Sequence, residues 1–309
     1  MRIVSLLPSA TEIVYELGLG DHLVGVSHDC DWPPEVLRKP KLSEAVVHSE
    51  MPSAEIDQIV RERLHSGLSV YHIDAEQLQR LNPDLILTQE LCEVCAPSFD
   101  DVRQAVRLLH GQPKIVSLEP HTIEDILDNI LTVGEVSGTA ERAQKRVAQL
   151  RRRIERVRTQ TENIAHRPKV CCIEWLEPIM IGGHWVPQMV EYAGGEDWLG
   201  EIGQPSRYAD WEEILNYNPD IIVLMPCGFS IERTLRELDV LTELEGWEEL
   251  TAVKENQVFV VEGSAYFNRP GPRIVTGLEI LAEIIHPEIF SGLAPREAMM
   301  RCKREELWN

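Results

Sequence analysis

The chain has 309 residues, 43% of them hydrophobic and 26% charged, which is the composition of a globular protein long enough to form two domains. Lys and Arg together number 30 and Asp and Glu 51, so the formal net charge is −21. This charge argues against nucleic acid and anionic membrane surfaces as general partners, because both would repel the protein. The alternative is that the net charge only keeps the protein soluble.

Short apolar segments rich in β-branched residues alternate with helical patterns along the chain. The predicted strands are RIVSLL, HLVGVS, DLILTQ and KIVSLEP in the first half, and KVCCIEWL, DIIVLMP and QVFVVEG in the second. Helical patterns lie between them, for example SATEIVYELG, DWEEILNY and PGPRIVTGLEILAEII. Apolar strands that alternate with helices are typical of parallel sheets covered on both faces, so the sequence predicts an α/β fold.

One phrase occurs twice, about half a chain apart. NPDLILTQELC begins at Asn82 and NPDIIVLMPC begins at Asn218. In each, the residue before proline disfavours the helical region, so a helix ends there and a buried strand follows. We interpret the repeat as the same helix-to-strand step in two similar lobes. Chance recurrence of a common junction is the alternative for the Asn-Pro-Asp part.

A long helix is predicted between the two lobes, because residues 139–167 contain no Gly or Pro. Its apolar or small residues recur in steps of three and four, which places them on one face of a helix about 40 Å long. They are Ala140, Ala143, Val147, Leu150, Ile154, Val157, Thr161 and Ile164. A rigid strut between lobes is the preferred interpretation, and a coiled-coil partner helix is the alternative.

These patterns together predict two Rossmann-like lobes with mainly parallel sheets. We expect an N-terminal lobe over residues 1–137, a bridging helix over 138–167, a C-terminal lobe over 168–290 and a tail over 291–309. Ligands of such sheets bind beyond the carboxyl ends of the strands. The sequence therefore predicts a ligand cleft between the lobes, lined by the segments that follow the strands.

Aromatic residues are frequent in those segments. Trp32, Trp175, Trp185 and Tyr266 would give flat apolar surface to a large ligand. For any single tryptophan, ordinary core packing is the alternative. Arg269 follows the last predicted strand, where it would pair with an acidic group of the ligand or with a glutamate of the facing lobe. A solvated arginine at a helix start is the alternative.

Cysteines also follow the strands. The total of seven is odd, so complete internal pairing is impossible, and we interpret them as thiols. A zinc or iron site is the hypothesis for the set in the post-strand loops, and buried small hydrophobic residues are the alternative. The candidate metal ligands are His28, Cys30, Cys92, Cys95 and Cys227.

Motifs of catalysis are absent from the sequence. There is no GxSxG, HExxH, Walker A loop or GxGxxG after a strand, so we assign no catalytic residue and expect a binding protein rather than an enzyme.

Nearly the whole chain, to about residue 290, resembles the cobalamin- and siderophore-binding proteins of ABC importers, most closely the leaderless cobalamin-binding branch. The segments that carry the resemblance are RIVSLLPSATEIVYELGLGDHLVGVSHDCDWPPEV, NPDLIL, GGEDWLGEIG, DWEEILNYNPDIIVL and SAYFNRPGPRIVTGLEILAEIIHPE. The resemblance implies two α/β lobes bridged by one long helix. It also implies a corrinoid or another metal chelate as ligand, and an ABC permease as partner if the protein is exported.

The resemblance also implies ligand contacts where positions match. They are Pro8, Ser9, Gln89, Glu90, Trp175, Tyr208, Tyr266 and Arg269. At Gln89–Glu90 and near Tyr208 the cobalamin receptor has tryptophans that this sequence lacks. The glutamates that dock such receptors on a permease match Glu93 and Glu212 most nearly.

Two functions are therefore compatible with the sequence. The first is a binding protein for a corrinoid or other metal chelate, and the alternative is a cytoplasmic metal-thiolate protein or enzyme that uses the cleft cysteines. No apolar run approaches the roughly 18 residues of a membrane span, and no signal peptide is visible. We therefore expect a cytoplasmic protein without membrane insertion, with a periplasmic or cell-surface location as the alternative if a leader has been removed.

Overall fold

A computed structural model describes residues 1–89, 106 and 112–303 of the chain, which divides into two compact units. The first unit comprises Met1–His48, Gln58–Pro120 and Glu124–Gln149. The second comprises Ser49–Asp57, His121–Ile123 and the chain from Leu150 onward. No helix in the described part of the chain is long and apolar enough to cross a membrane.

The first unit is built on a parallel sheet of four strands in the order β2-β1-β5-β6, and β3 pairs with β4 in a separate antiparallel ribbon. The strands are β1 (Ile3–Ser5), β2 (Leu23–Val26), β3 (Ser43–Ala45), β4 (Tyr71–Ile73), β5 (Leu85–Thr88) and β6 (Lys114–Ser117). The central strands β1 and β5 are completely buried, as expected of a parallel sheet with both faces covered.

Five α-helices in the described residues precede the second sheet. They are α1 (Pro8–Glu16), α2 (Ser53–His65), α3 (Ala75–Leu81), α4 (Ile123–Ser137) and α5 (Ala140–Thr161). Proline at the start of α1 is favoured there, because its missing N–H would have no partner in the first turn. The start of α3 is fixed by Asp74, whose side chain accepts a hydrogen bond from the backbone N–H of Gln77 at 2.8 Å.

The second unit is built on a mixed sheet in the order β12-β11-β10-β7-β8-β9, in which β11, β10 and β7 are parallel and the outer pairings are antiparallel. The strands are β7 (Val170–Trp175), β8 (Met180–Ile181), β9 (Arg207–Tyr208), β10 (Ile221–Leu224), β11 (Val258–Val261) and β12 (Met299–Cys302). Its core includes Trp247, whose side chain is completely enclosed.

Short helices connect these strands, apart from the longer α12. They are α6 (Val186–Tyr192), α7 (Trp211–Tyr217), α8 (Ile231–Leu235), α9 (Asp239–Thr242), α10 (Thr251–Lys254), α11 (Gly263–Tyr266), α12 (Ile274–Ile285) and α13 (Pro287–Phe290). Single turns of 3₁₀ helix occur at Gly20–His22, Pro34–Arg38, Trp247–Glu249 and Arg296–Ala298.

The repeated Asn-Pro-Asp phrase has the same structural role in both units. Asn82 and Asn218 end their helices in the left-handed region, with φ of 40° and 46°. The carboxylate of Asp84 accepts a hydrogen bond from the backbone N–H of the residue before β1, and that of Asp220 from the residue before β7. The strands that follow, β5 and β10, pair with β1 and β7 respectively.

Helix α5 joins the two units in the chain, since its residues up to Gln149 belong to the first and those from Leu150 to the second. The predicted stripe is buried from Ala143 to Thr161. The helix is about 33 Å long and ends at Thr161, six residues before the predicted end. The hydroxyl of Thr161 donates to the backbone carbonyl of Tyr192, so the last turn is held against α6.

The chain is therefore an α/β protein of two units, as the sequence predicts. The first sheet is parallel, whereas the second is parallel only at its centre, where β11, β10 and β7 pair, and antiparallel at both edges. The segment beyond residue 290 is not a separate tail through residue 303. Its strand β12 forms the antiparallel edge of the second sheet, and Cys302 is buried in the core there. The domain boundaries given in the sequence analysis remain predictions.

Candidate functional site

The predicted ligand residues of the first unit differ strongly in exposure. Trp32 is 46% exposed and presents a large apolar ring to solvent. Pro8 is half-buried at the start of α1. Ser9, in the next position, and Gln89, directly after β5, are buried. Glu90 lies outside the described residues.

The predicted metal ligands of the first unit, Cys30 and His28, are already hydrogen-bonded to neighbouring side chains. Cys30 is completely buried, and its Sγ lies 3.1 Å from the hydroxyl of Thr11 and 3.2 Å from that of Ser27. Burial raises the pKa of this thiol, which disfavours the thiolate that zinc or iron would require. In His28, Nδ1 lies 2.9 Å from the hydroxyl of Ser43.

The remaining cysteine candidates are not brought together by the described structure. Cys92 and Cys95 lie outside the described residues. Cys227 is half-buried after β10, where its backbone N–H donates to the carbonyl of Glu174 at 3.0 Å. Within residues 1–89 and 112–303, no group of three or more His, Cys, Asp and Glu side chains is placed to hold a metal ion. Zinc or iron at the cysteines stays a prediction.

Trp175 occupies the end of β7 in the second unit. Its ring lies 5.2 Å from the ring of Phe229, and its indole N–H donates to the backbone carbonyls of Ser53 and Glu177 at 3.2 and 3.1 Å. The side chain is half-buried, so part of the indole surface remains exposed. An indole held by both its face and its N–H is a rigid apolar surface at a strand end.

Residues Ser49–Asp57, which we call the 49–57 segment, lie against the strand ends of the second unit. The carbonyl of Ser53 accepts from Trp175, and the carboxylate of Asp57 accepts from the hydroxyl of Tyr208 at 2.6 Å. Two of the predicted ligand residues are therefore already hydrogen-bonded within the protein. The sequence carries no periodicity or motif that indicates these contacts.

A buried ion pair holds the 49–57 segment in place. Arg233 donates to the carboxylate of Glu237 at 2.5 Å and to the carbonyls of Ser49 and Met51 at 2.6 and 2.7 Å. Glu237 in turn accepts from both the backbone N–H and the hydroxyl of Ser53, each at 2.7 Å. Burial alone would raise the pKa of Glu237, but the hydrogen bonds from Ser53 and Arg233 outweigh it, and the pKa is lowered.

Trp185 is almost completely buried, and its indole N–H donates to the carbonyl of Phe267 at 2.8 Å. This contact makes Trp185 a support for the segment that carries Tyr266, at the end of α11, and Arg269. Both of those side chains are half-buried, and the guanidinium of Arg273 lies 5.7 Å from the ring centroid of Tyr266.

A partly buried carboxylate that the sequence analysis did not single out lies beside Trp175. Glu174 accepts a hydrogen bond from the hydroxyl of Ser206 at 2.6 Å. Burial raises its pKa, and the hydrogen bonds from Ser206, Gly183 and Asn268 offset only part of that rise. The sequence does not indicate a role for Glu174. Side chains of a strand alternate between its two faces, and a single sequence does not show which face would be polar.

The turn before Trp185 depends on a glycine. A Cβ at Gly183 would lie 2.5 Å from backbone atoms of Gln204, Pro205 and Ser206. We expect Gly183→Ala to lower the free energy of unfolding by about 1–3 kcal/mol, because backbone cannot rotate away as a side chain can. Urea denaturation measures this. Gly182→Ala is the control: its Cβ would meet the side chain of Val186 at 3.0 Å, and an equal loss in both variants would contradict the steric explanation.

Two α/β units that share one long helix, with aromatic and polar side chains after the strands, form the architecture of a solute-binding protein. Residues 3–265 match the family Peripla_BP_2, described as "Periplasmic binding protein", so the chain belongs to this family. Family membership makes the chain a binding protein, which confirms the expectation that it is not an enzyme.

Similar proteins include a "Vitamin B12-binding protein" of Vibrio cholerae, 27% identical over 282 residues that cover 90% of this chain and 86% of that protein. The "Uncharacterized ABC transporter substrate-binding lipoprotein YvrC" of Bacillus subtilis is 27% identical over 302 residues, covering 94% of this chain and 81% of that one. The crystal structure of the periplasmic vitamin B12-binding protein BtuF of Vibrio cholerae superposes with a TM-score of 0.67 at 25% identity, covering 94% of this chain and 98% of that one.

These relatives bear on two predictions from the sequence, the function and the cellular location. They support the resemblance to the cobalamin- and siderophore-binding proteins, and they do not favour a metal-thiolate protein or enzyme. They are periplasmic or lipoproteins, so the expectation of a cytoplasmic protein finds no support among them.

Proposed function

We propose that this protein binds a corrinoid, or another metal chelate of similar size, as the solute-binding component of an importer. The observation that carries the proposal is the likeness to the vitamin B12-binding protein of Vibrio cholerae, which extends over nine-tenths of this chain in sequence and is matched in fold. A corrinoid is large, flat and partly apolar, so it requires rigid apolar surface with a few polar groups at the edge.

In this proposal the ligand contacts come from the exposed and half-buried candidates. Trp32 in the first unit, and Trp175, Tyr208 and Tyr266 in the second, supply aromatic surface. Arg269 would pair with polar groups at the edge of the ligand. The buried candidates Ser9, Gln89 and Trp185, with half-buried Pro8, would support the contact residues from beneath.

The same proposal places the protein outside the cytoplasm, where it would deliver its ligand to an ABC permease. The B. subtilis relative supports this location, because it is an ABC transporter substrate-binding lipoprotein. Glu212 is exposed in the first turn of α7 and is the candidate for a docking contact with the permease. Glu93, the other candidate, lies outside the described residues.

The proposal is tested by titrating the purified chain with cyanocobalamin, hemin and a ferric siderophore in a calorimeter. We expect one corrinoid per chain. Trp175→Ala should weaken binding by roughly 10–100-fold, because an aromatic contact surface of about 1.5–3 kcal/mol is removed. Trp175→Phe keeps the ring and should bind nearly as well as the unchanged protein.

Trp198→Ala is the matched control, because Trp198 is a tryptophan of the same unit that is 72% exposed and is not a candidate ligand residue. It should leave the affinity unchanged. Absence of heat with all three ligands would remove the proposal. Equal losses in Trp175→Ala and Trp198→Ala would show that Trp175 is not a contact residue.

A further inference from the structure

Two histidines of the second unit, neither of them singled out by the sequence analysis, bring their imidazole rings together. The ring centroids of His121 and His184 lie 5.8 Å apart, and the ring planes are inclined by 55°. The two residues are 63 positions apart, in the loop after β6 and the loop after β8. Their proximity is therefore a product of the fold and not of local sequence.

The backbone of His184 is held in a conformation that non-glycine residues rarely adopt. Its φ is +51°, in the left-handed region. Its N–H donates to the carbonyl of Gln204 at 2.5 Å, and its own carbonyl accepts from the N–H of Gly203 at 2.9 Å. Both peptide groups of this histidine are thus fixed. Strain of this kind persists where surrounding structure imposes it, and it is concentrated at functional sites.

Neighbouring groups also fix the positions of the two histidines. The imidazole of His184 stacks on the indole of Trp185, with centroids 5.6 Å apart and planes inclined by 25°. The loop that carries His121 is tied to α6, because the backbone N–H of Ile123 donates to the side-chain carbonyl of Gln188 at 2.8 Å. The pair is therefore built on anchored elements, as a ligand-binding constellation requires.

The spacing of the rings suits a shared metal ion. With zinc–nitrogen distances of about 2.0–2.1 Å and a tetrahedral angle, two imidazole centroids lie roughly 5–5.5 Å apart. The observed 5.8 Å is close to this range. The Nδ1 atom of His184 is buried and has no hydrogen-bond partner within the described structure.

We propose that His121 and His184 form a two-imidazole site for a borderline transition-metal centre such as Co²⁺, Ni²⁺ or Zn²⁺. No third His, Cys, Asp or Glu among residues 1–89 and 112–303 completes the site, so the other coordination positions belong to water or to a bound solute. The metal is either a free ion held by both imidazoles, or the centre of a chelate whose open axial position one of the two imidazoles would take. The free-ion form does not depend on the proposed function, and the chelate form rests on it.

The first experiment titrates the metal-free protein with Co²⁺ alone and follows the visible absorption of the bound ion. We expect one bound Co²⁺ per chain. His121→Ala and His184→Asn should each weaken binding by more than about tenfold, since loss of even an outer-shell partner of a metal site costs about that much. Asn is chosen at position 184 because it tolerates the left-handed backbone. His166→Ala, an exposed histidine outside the pair, should bind Co²⁺ unchanged.

The second experiment mixes the same variants with aquacobinamide, whose cobalt has axial positions that an imidazole can take. An absorption shift that is lost in His184→Asn or in His121→Ala would assign that imidazole to the axial position of a chelated metal. Equal Co²⁺ affinity in all variants, together with an unchanged cobinamide spectrum, would overturn the proposal. If cobinamide does not bind at all but Co²⁺ binding is lost in the two variants, the site is confirmed for the free ion and the corrinoid proposal is the one that fails.

Discussion

Arg233→Met is expected to lower the free energy of unfolding by about 3–5 kcal/mol, because it leaves a buried carboxylate without its cation. The side chains of Arg233 and Glu237 are 7% and 12% exposed. The substitution keeps most of the volume but removes the donors to Glu237 and to the carbonyls of Ser49 and Met51. Urea denaturation at neutral pH measures the loss.

The double variant Arg233→Met with Glu237→Gln should recover part of this loss, because the uncompensated charge is then gone. The matched control is Arg236→Met. Arg236 pairs with Glu50 on the surface of the same segment, where both side chains are more than half exposed, so about 0–1 kcal/mol is expected. Equal losses in Arg233→Met and Arg236→Met would show that burial of the pair has no special effect.

The pair also has a pH dependence of known sign. The pKa of Glu237 is lower in the folded protein than its ordinary value, so the folded state stabilises the ionised carboxylate. Its contribution to stability is present at neutral pH and is lost as the pH falls through the lowered pKa. In Glu237→Gln this part of the acid dependence should be absent.

The sequence predicts those parts of the fold that depend on local pattern. Buried parallel strands are continuous apolar runs, so all seven predicted strands coincide with strands of the structure. The stripe of α5 follows from its period, and the Asn-Pro-Asp junctions follow from the backbone preferences of the residue before proline. The end of α5 at Thr161 does not follow, since a side-chain hydrogen bond to Tyr192, far along the chain, fixes it.

The candidate site is less predictable, because exposure and partners depend on long-range packing. Trp32 and Trp185 are equivalent in sequence terms, yet one is 46% and the other 7% exposed. A cysteine after a strand fits a metal ligand as well as a core thiol, and only the structure shows Cys30 enclosed between two hydroxyls. His121 and His184 belong to no motif, so their pairing has no signal in one sequence.

Strand β12 is a part of the fold that the sequence does not predict. MMRC is short and is followed by charged residues, so the sequence predicts a tail there. In the structure it pairs antiparallel with β11, and only Cys302 faces the core. An edge strand is paired on one side only, so most of its side chains can remain exposed, and in β12 Cys302 alone is buried.

The unfolding free energy of the protein should decrease as the pH rises from about 4 to about 6, through the ionisation of Asp197. One carboxylate oxygen of Asp197 accepts from the backbone N–H groups of Leu199 and Gly200 at 3.0 and 2.9 Å, and the other is buried without a hydrogen-bond partner in the described structure. Burial raises the pKa of Asp197 from 3.8 to about 6, although these hydrogen bonds and Arg207 oppose the rise.

The sign follows from linkage. Between the ordinary and the raised pKa, the folded state holds a proton that the unfolded state has released, so folding is favoured at the acid end of this range. The penalty for the ionised form is complete above pH 6 and amounts to at most about 3 kcal/mol, at 1.36 kcal/mol for each pKa unit. Asp197→Asn keeps the accepting oxygen and removes the ionisation.

We therefore expect Asp197→Asn to unfold at higher urea concentration than the unchanged protein at pH 7.5, and at nearly the same concentration at pH 4. Asp210→Asn, at an exposed aspartate of the same unit, serves as the control and should run parallel to the unchanged protein at both values. Because other groups also titrate in this range, the difference between the Asp197 and Asp210 variants is the quantity that reports on the buried carboxylate. If that difference is the same at pH 4 and pH 7.5, Asp197 ionises in the folded protein as it does in the unfolded chain, and burial does not raise its pKa.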